Sequence, residues 1–217
     1  YAKAEAEGFY KGEILPVNLP SKKRDAPPTV VMQDEHPRRD STMESLTKLK
    51  PLYEGGVVTA GNASGVNDGA AALIIASRKW GEKNGNKPIA KILSAASAAV
   101  EPRIMGVGPA YAIPKALDRA RLSLSDMEII EINEAFASQV LACFRLMNLD
   151  FKDPRVNPNG GAIAIGHPLG CSGARLICTM AHEMRRRAPS EKRPYYGLAT
   201  LCVGVGQGEA TIIEWLD

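Results

Sequence analysis

The chain has 217 residues, 45% hydrophobic and 24% charged, an ordinary globular composition with material for one domain plus a substantial extra piece; collagenous, disordered and disulfide-rich classes are excluded. Its 27 basic and 24 acidic residues leave a net charge of +3, too balanced to call for nucleic acid, and no run is apolar for the ~18 residues a membrane helix needs. Four scattered cysteines, Cys143, Cys171, Cys178 and Cys202, have neither metal-ligand spacing nor the density of a secreted scaffold, which indicates a reducing compartment, here the cytoplasm.

Residues 1–7 are an Ala-rich helical string with no initiator methionine or targeting signature, stopped by Gly8, and read as the tail of a helix. Residues 9–54 mix prolines with charge, including basic clusters at 22–24 and 38–39. They are too loop-rich for a core of their own, although 41–49 has the pattern of a short helix with Met43, Leu46 and Leu49 on one face. Composition changes at Val57. The small-residue apolar run 68–76 reads as a buried strand and 77–84 as the helix that ends it. Next come a small-residue strand over 89–100, a helix over 109–120 opened by Pro109, a turn at 125–127 and a strand over 128–133. A helix over 134–147 follows, with Phe136, Val140, Phe144 and Met147 on one stripe. A glycine-rich loop from Asn157 delivers the chain into a helix over 174–187, which ends in a third basic cluster. Strands over 196–203 and 209–215 then form a hairpin across 204–208. Strands alternating with helices before a hairpin predict an α/β layered domain from about residue 87 to the end.

Four segments have the residue types of a reacting site. Asn133-Glu-Ala-Phe-Ala137 stands at a strand-to-helix junction, where Asn133 by itself reads as a helix N-cap. His167 sits between Gly166 and Pro168 in a loop just before a helix, where an imidazole with a pKa near ~6.5 can take a proton from a thiol. Cys202 ends a strand and is followed by alternating glycines, Gly204, Gly206 and Gly208, whose backbone N–H groups can point into a pocket; a cysteine there is equally a small core residue. The fourth, Thr59-Ala-Gly-Asn-Ala-Ser64-Gly, is permissive backbone with small polar side chains, and doubles as a tight connection into the next strand.

Together and in this order these segments resemble one family, the thiolases, which carry T-A-G-N-A-S-G, N-E-A-F-A, N-x-N-G-G-A-I-A-x-G-H-P and C-x-G-x-G-x-G segments. The resemblance covers essentially the whole chain and aligns it with that family's C-terminal portion. It implies a thiolase-like layered α-β-α-β-α fold of α/β class, here the C-terminal half plus part of the loop domain: 1–56 in the CoA-binding loop domain, 57–86 the closing strand and helix of the N-terminal half, 87–217 the C-terminal domain.

It also implies an acyltransferase that cleaves 3-ketoacyl-CoA thiolytically or condenses acetyl-CoA, with coenzyme A thioesters as substrates and no cofactor or metal. By the family pattern His167 activates a nucleophilic cysteine and Cys202 exchanges a proton with the α-carbon of acetyl-CoA, both in one cleft at proton-transfer reach. His167 with a water held by Asn133 forms one oxyanion hole, and the Gly204 N–H contributes to another. Ser64 is expected at the pantetheine, Arg38 and Ser45 at the adenine nucleotide end, and Leu49, Tyr53, Met105 and Phe136 along the acyl pocket.

The sequence departs from the family in one respect: no cysteine precedes Cys143, so the acylated residue is not in this chain. The expectation is a piece that needs the N-terminal half of the same enzyme, assembles as a homodimer or homotetramer, and has neither nucleic-acid nor membrane partners. The rival readings are a related condensing enzyme, a non-catalytic CoA- or lipid-binding module, and a metal site from His167, Cys171 and Cys202.

Overall fold

In the computed structural model, which describes residues 1–21, 27–191 and 193–216, the N-terminal third is as loop-rich as its prolines predict. Helix α1 (Ala2–Ala6) ends at Gly8, whose φ of +77° is the left-handed stop that glycine adopts readily. Strands β1 (Val17–Leu19) and β2 (Thr29–Val31) pair antiparallel, a contact the sequence does not announce; the basic cluster at 22–24 lies outside the described residues. Helix α2 (Met43–Thr47) forms inside the expected span. Thr42 and Ser45 bond each other's backbone in a reciprocal cap at its start. Leu46 and Leu49 press on the turn at Gly61, where an added Cβ would lie 2.5 and 2.6 Å from their methyls, while Met43 faces solvent.

One expectation fails here. Residues 68–76 form no strand and are not buried: Ile74 is 94% exposed and Ile75 74%. A strand exists only where a neighbour takes its backbone hydrogen bonds, and among the described residues none pairs with this run. Helix α3 (Arg78–Lys83) follows, capped by the Ser77 hydroxyl.

The remainder folds around one mixed sheet. Its strands β3 (Ala90–Ala99), β4 (Met127–Ile132), β5 (Tyr196–Val203) and β6 (Gln207–Trp215) lie in the order β3-β6-β5-β4, with β4 parallel to β5 and the other pairs antiparallel. Helices α4 (Gly108–Ala120) and α5 (Ala137–Met147) cover one face, and α7 (Ser172–Arg187) the other, reached through the single turn α6 (Ala162–Ile165). This is the α/β layering the alternation predicts.

Side-chain size decides how closely the layers approach. On the α4 face Ala96 and Ala98 of β3 meet Ala112 and Ala116, so helix and strand come together with little side chain between them. On the α7 face Leu176, Met180 and Met184 fill the space over Ile129, Ala199 and Ile213. The predicted helix over 134–147 begins later, at Ala137, because the chain bends at Ala135 and Phe136 is extended and bridged to Ala63. The N-cap is Phe136, without a side-chain bond, so Asn133 is not the cap the sequence suggested. None of the described helices is long and apolar enough to cross a membrane.

The three glycines after Cys202 serve different ends. A Cβ on Gly208 would lie 2.1 Å from the Gly108 carbonyl carbon, and one on Gly206, at φ +88°, 2.2 Å from Val100 O, whereas Gly204 has nothing within 4 Å. Gly208→Ala is therefore expected to lower stability by ~1–3 kcal/mol, since backbone cannot step aside, and Gly204→Ala by no more than ~0.5 kcal/mol. Urea denaturation of both variants checks this; equal midpoints would contradict the close approach of β6 to α4.

Candidate active site

The site is built at the C-terminal end of the parallel pair. Beyond the last strand bond, the Asn133 N–H still reaches Thr200 O at 2.9 Å, which fixes Asn133 beside β5. The outer edge of β4 is closed by residues 155–157. Arg155 O and the Asn157 N–H bond Ile130, and the Asn157 side-chain amide bonds both Ile132 N–H and Ile132 O at 2.9 Å, imitating one more strand residue. Asn157 Nδ2 also donates to Glu134 Oε1, and Glu134 Oε2 accepts from the Ile163 N–H at the start of α6. A Cβ on Gly161 would lie 2.6 Å from that carboxylate, so the glycine makes room for it.

Three of the four sequence segments converge here. Residues 62–64 lie antiparallel to 135–137: Ser64 N–H and Oγ both donate to Ala135 O, Ala137 N–H donates to Asn62 O, and Ala63 bridges Phe136. The next residue, Gly65, accepts from the His167 N–H at 2.9 Å. Gly166 turns the chain at φ +95°, where a Cβ would lie 2.1 Å from Asn67 Oδ1. The His167 ring is thereby set against the Asn133 side chain, with Asn133 Nδ2 3.3 Å from Nε2, while Nδ1 lies 2.6 Å from Ser172 Oγ in the first turn of α7. Asn133 is fully buried, and its Oδ1 has no hydrogen-bond partner.

Burial, assisted by the nearby Arg175 guanidinium, pushes the His167 pKa below the ordinary histidine value, so the ring is neutral at neutral pH. Arg175, one turn along α7 from Ser172, reaches Glu131 Oε2 at 3.5 Å, and Glu131 is wholly buried two residues before Asn133. Burial outweighs the guanidinium and raises the Glu131 carboxyl to about 8. Glu13 lies in the same buried layer, bonded by the Thr179 hydroxyl, and its carboxyl is also raised by burial.

Cys202 arrives at the same rim from the other face. Along β5 Leu198 belongs to the core under α4 and Ala199 to the core under α7. Alternation places Cys202 with Leu198 on the α4 side, near enough to Cys143 of α5 to add a little to the rise that burial imposes on the Cys143 thiol. Asn133 follows Ile129 and Glu131 toward α7. His167 and Cys202 thus stand at one end of the sheet but leave it from opposite faces, which departs from the expected single cleft at proton-transfer reach, and no hydrogen bond joins them among the described residues.

Cys202 is 6% exposed and burial raises its thiol pKa, whereas Cys171 and Cys178 are the more accessible pair. The remaining segment joins the site through Cys202 and through Gly204, which is exposed and has nothing crowding it.

The expected CoA contacts are more dispersed. Arg38 is exposed and its carbonyl receives the Ser41 hydroxyl; the Ser45 hydroxyl is taken up in the cap of α2; Tyr53 is 78% exposed; Met105 and Phe136 are half-buried. Glu134, Asn157, Ser172 and Arg175 went unremarked in the sequence. Glu134 was readable as the second residue of its segment and Ser172 as a hydroxyl five residues after His167, but Arg175 looks like any helical arginine. No group of three or more His, Cys, Asp or Glu among the described residues is placed to hold a metal ion, so His167, Cys171 and Cys202 do not assemble one.

Residues 86–215 match the family described as "Thiolase, C-terminal domain", and residues 1–79 match "Thiolase, N-terminal domain". The chain is 52% identical over 213 residues to the beta-ketoadipyl-CoA thiolase of Pseudomonas aeruginosa, covering 98% of this chain and 51% of that protein. It is 49% identical over 216 residues to an acetyl-CoA acetyltransferase of Syntrophomonas wolfei, covering 99% and 52%. Among solved structures, the Bacillus anthracis acetyl-CoA acetyltransferase superposes with a TM-score of 0.91 at 43% identity, over 99% of this chain and 52% of that one. Human mitochondrial 3-ketoacyl-CoA thiolase in complex with CoA gives 0.89 at 44% identity, over 100% and 51%. The chain spans about half the length of the curated relatives it matches.

Burial and Arg175 both disfavour the imidazolium, so the NMR titration midpoint of His167 is expected below 6.5. Arg175→Gln moves it part of the way up, because burial is the larger cause. A midpoint at or above the ordinary value in the unmodified chain would contradict the geometry.

Proposed function

Because the chain belongs to the thiolase family, we propose that it supplies the His167, Asn133 and Cys202 side of an acyl-transfer site acting on coenzyme A thioesters, by thiolytic cleavage of 3-ketoacyl-CoA or by condensation with acetyl-CoA. The observation that carries this reading is the buried contact of Asn133 with a neutral His167 at the rim where Cys202 also ends its strand. The nucleophilic cysteine lies outside this chain, on the N-terminal half of the same enzyme. We read 1–56 as part of a CoA-binding loop domain, 57–86 as the end of the N-terminal half and 87–217 as the C-terminal domain. The exposed run around Ile74 and Ile75 is where the N-terminal half would dock, and its strands would supply the backbone partners that run lacks.

In the cleavage direction His167 Nε2 takes the proton of that cysteine, whose thiolate adds to C3 of the 3-ketoacyl-CoA. The C2–C3 bond breaks, the acyl group stays on sulfur, and the electron pair leaves with the acetyl-CoA enolate, which takes the Cys202 proton. Incoming CoA returns a proton to Cys202, its thiolate attacks the acyl-enzyme, and the departing cysteine recovers its proton from His167. The raised pKa of Cys202 keeps it a thiol until an enolate is present. Asn133 Oδ1, buried and unpartnered, is the acceptor that a water beside Nε2 would need to complete one oxyanion hole; the uncrowded Gly204 N–H suits the other.

Ser64 would meet pantetheine, Arg38 and Ser45 the nucleotide end, and Leu49, Tyr53, Met105 and Phe136 the acyl chain. No cofactor enters this scheme. A homodimer or homotetramer in the cytoplasm fits the reading, the four free thiols suiting a reducing compartment. A non-catalytic CoA- or lipid-binding module is the second reading; the pKa values driven apart at His167 and Cys202 favour chemistry over binding alone.

The test joins this chain to a cysteine-bearing N-terminal half and follows thiolysis of acetoacetyl-CoA. Activity is expected from the combination and not from this chain alone. Asn133→Ala in the combination should cost about two to three orders of magnitude in turnover, ~2.7–4 kcal/mol, with the fold intact. Thiolysis by the isolated chain, or near-normal turnover of the Asn133 variant, would overturn the assignment.

A further inference from the structure

We propose that Ser172 is a positioning residue that holds the His167 ring in the tautomer protonated on Nδ1, leaving Nε2 as the bare acceptor at the rim. The proposal rests on the reading of His167 as the base and deepens it by naming what presets that role.

The hydrogen bonds run in one direction through the ring. Asn133 Nδ2 is a donor and nothing else, so His167 Nε2 at 3.3 Å accepts. A neutral imidazole carries one proton, which must then sit on Nδ1, and Ser172 Oγ lies 2.6 Å from Nδ1 to receive it. The hydroxyl passes its own proton to Pro168 O at 3.1 Å. Each donor in this chain finds an acceptor. Run the other way, the Ser172 proton would point at Nδ1, Nε2 would carry a hydrogen facing the Asn133 amide, and a bare lone pair would no longer be available for a thiol proton.

Ser172 is placed for this task and not for capping. It is the first residue of α7, the N-cap position belongs to Cys171, and the Ser172 hydroxyl turns back toward the loop. It is only 1% exposed, so water does not compete for it. The ring has little other freedom: the His167 N–H is tied to Gly65 O, and the backbone before it is fixed by the left-handed Gly166 against Asn67. The hydroxyl on Nδ1 and the amide on Nε2 then set the ring plane from both ends. This is the general device by which the partner of one imidazole nitrogen decides the state of the other.

The test is 15N NMR of the chain with labelled histidine, with His167 distinguished from His36 and His182 by its loss in His167→Asn. Above the midpoint of the ring, the unmodified chain is expected to show a neutral His167 with Nδ1 protonated and Nε2 bare. Ser172→Ala should redistribute the proton toward Nε2, and Ser172→Thr, which keeps the hydroxyl, should restore the original pattern. Far-UV circular dichroism and the urea midpoint establish that each variant is folded. A proton on Nε2 in the unmodified chain, or an unchanged tautomer in folded Ser172→Ala, overturns the proposal; the first result decides it even if Ser172→Ala does not fold. The tautomer is read without turnover, so failed thiolysis by the joined halves would refute the proposed function and leave this result standing.

Discussion

A β-strand that ends inside a protein leaves backbone groups that something must satisfy, and the way β4 ends fixes the rest of the site. On its inner side Thr200 O takes the Asn133 N–H; on its outer side the Asn157 amide takes both backbone groups of Ile132. These bonds hold the chain at Ile132 and Asn133, and the pairing of 135–137 with 62–64 delays the helix to Ala137. The residues between send Asn133 to His167, Glu134 to the start of α6 and Ala135 to Ser64. A single neutral amide at Asn157 thus sets the direction of the residues that contact the imidazole, and a buried amide left without these bonds would cost ~1–3 kcal/mol.

The sequence made legible whatever depends on local pattern. The strand around Ala96, the helix opened by Pro109 and the hairpin through Cys202 need only alternation, a helix-starting proline or a glycine turn, and each forms close to its expected place. Where the reading failed, a distant partner decides. The run ending in Ile74 and Ile75 has the composition of a buried strand, yet composition does not supply the neighbour a strand must pair with. The first turn of the helix expected from Glu134 is lost because residues 62–64 pair with 135–137 across more than seventy positions, a separation no local window reports. The resemblance already set His167 and Asn133 at one oxyanion hole, but the direct contact between their side chains and the Ser172 hydroxyl on Nδ1 belong to the fold alone.

The layer beneath His167 on the α7 side is unusually polar for a core. Glu131, Glu13 and Arg175 are packed there with one polar atom each left unpartnered, so the guanidinium is not fully neutralised and its charge is felt at the imidazole. The consequences for stability run in opposite directions. Glu131, raised to about 8, binds a proton in the folded state that the unfolded chain has released, so its contribution weakens as pH rises from the ordinary carboxylate range toward 8. His167, lowered, binds its proton more readily when unfolded, so its contribution weakens as pH falls below 6.5. Burial is the larger cause at both groups, and Arg175, which lowers both pKa values, is the charge they share.

Cys202 is shifted in the opposite sense to His167. Two titratable groups whose surroundings push their pKa values apart are thereby divided into acid and base. Here the division follows from position alone. His167 stands on a half-exposed loop with a cation behind it, so it is neutral and ready to accept a proton. Cys202, near the end of its strand, is buried on the opposite face, and burial raises its thiol pKa, so it keeps its proton. Both groups stand at the same end of the sheet, and no hydrogen bond joins them among the described residues. In the proposed reaction each group runs its own proton cycle, His167 with the nucleophilic cysteine and Cys202 with the enolate and the incoming CoA, so a neutral imidazole and a protonated thiol are the starting states that both cycles need.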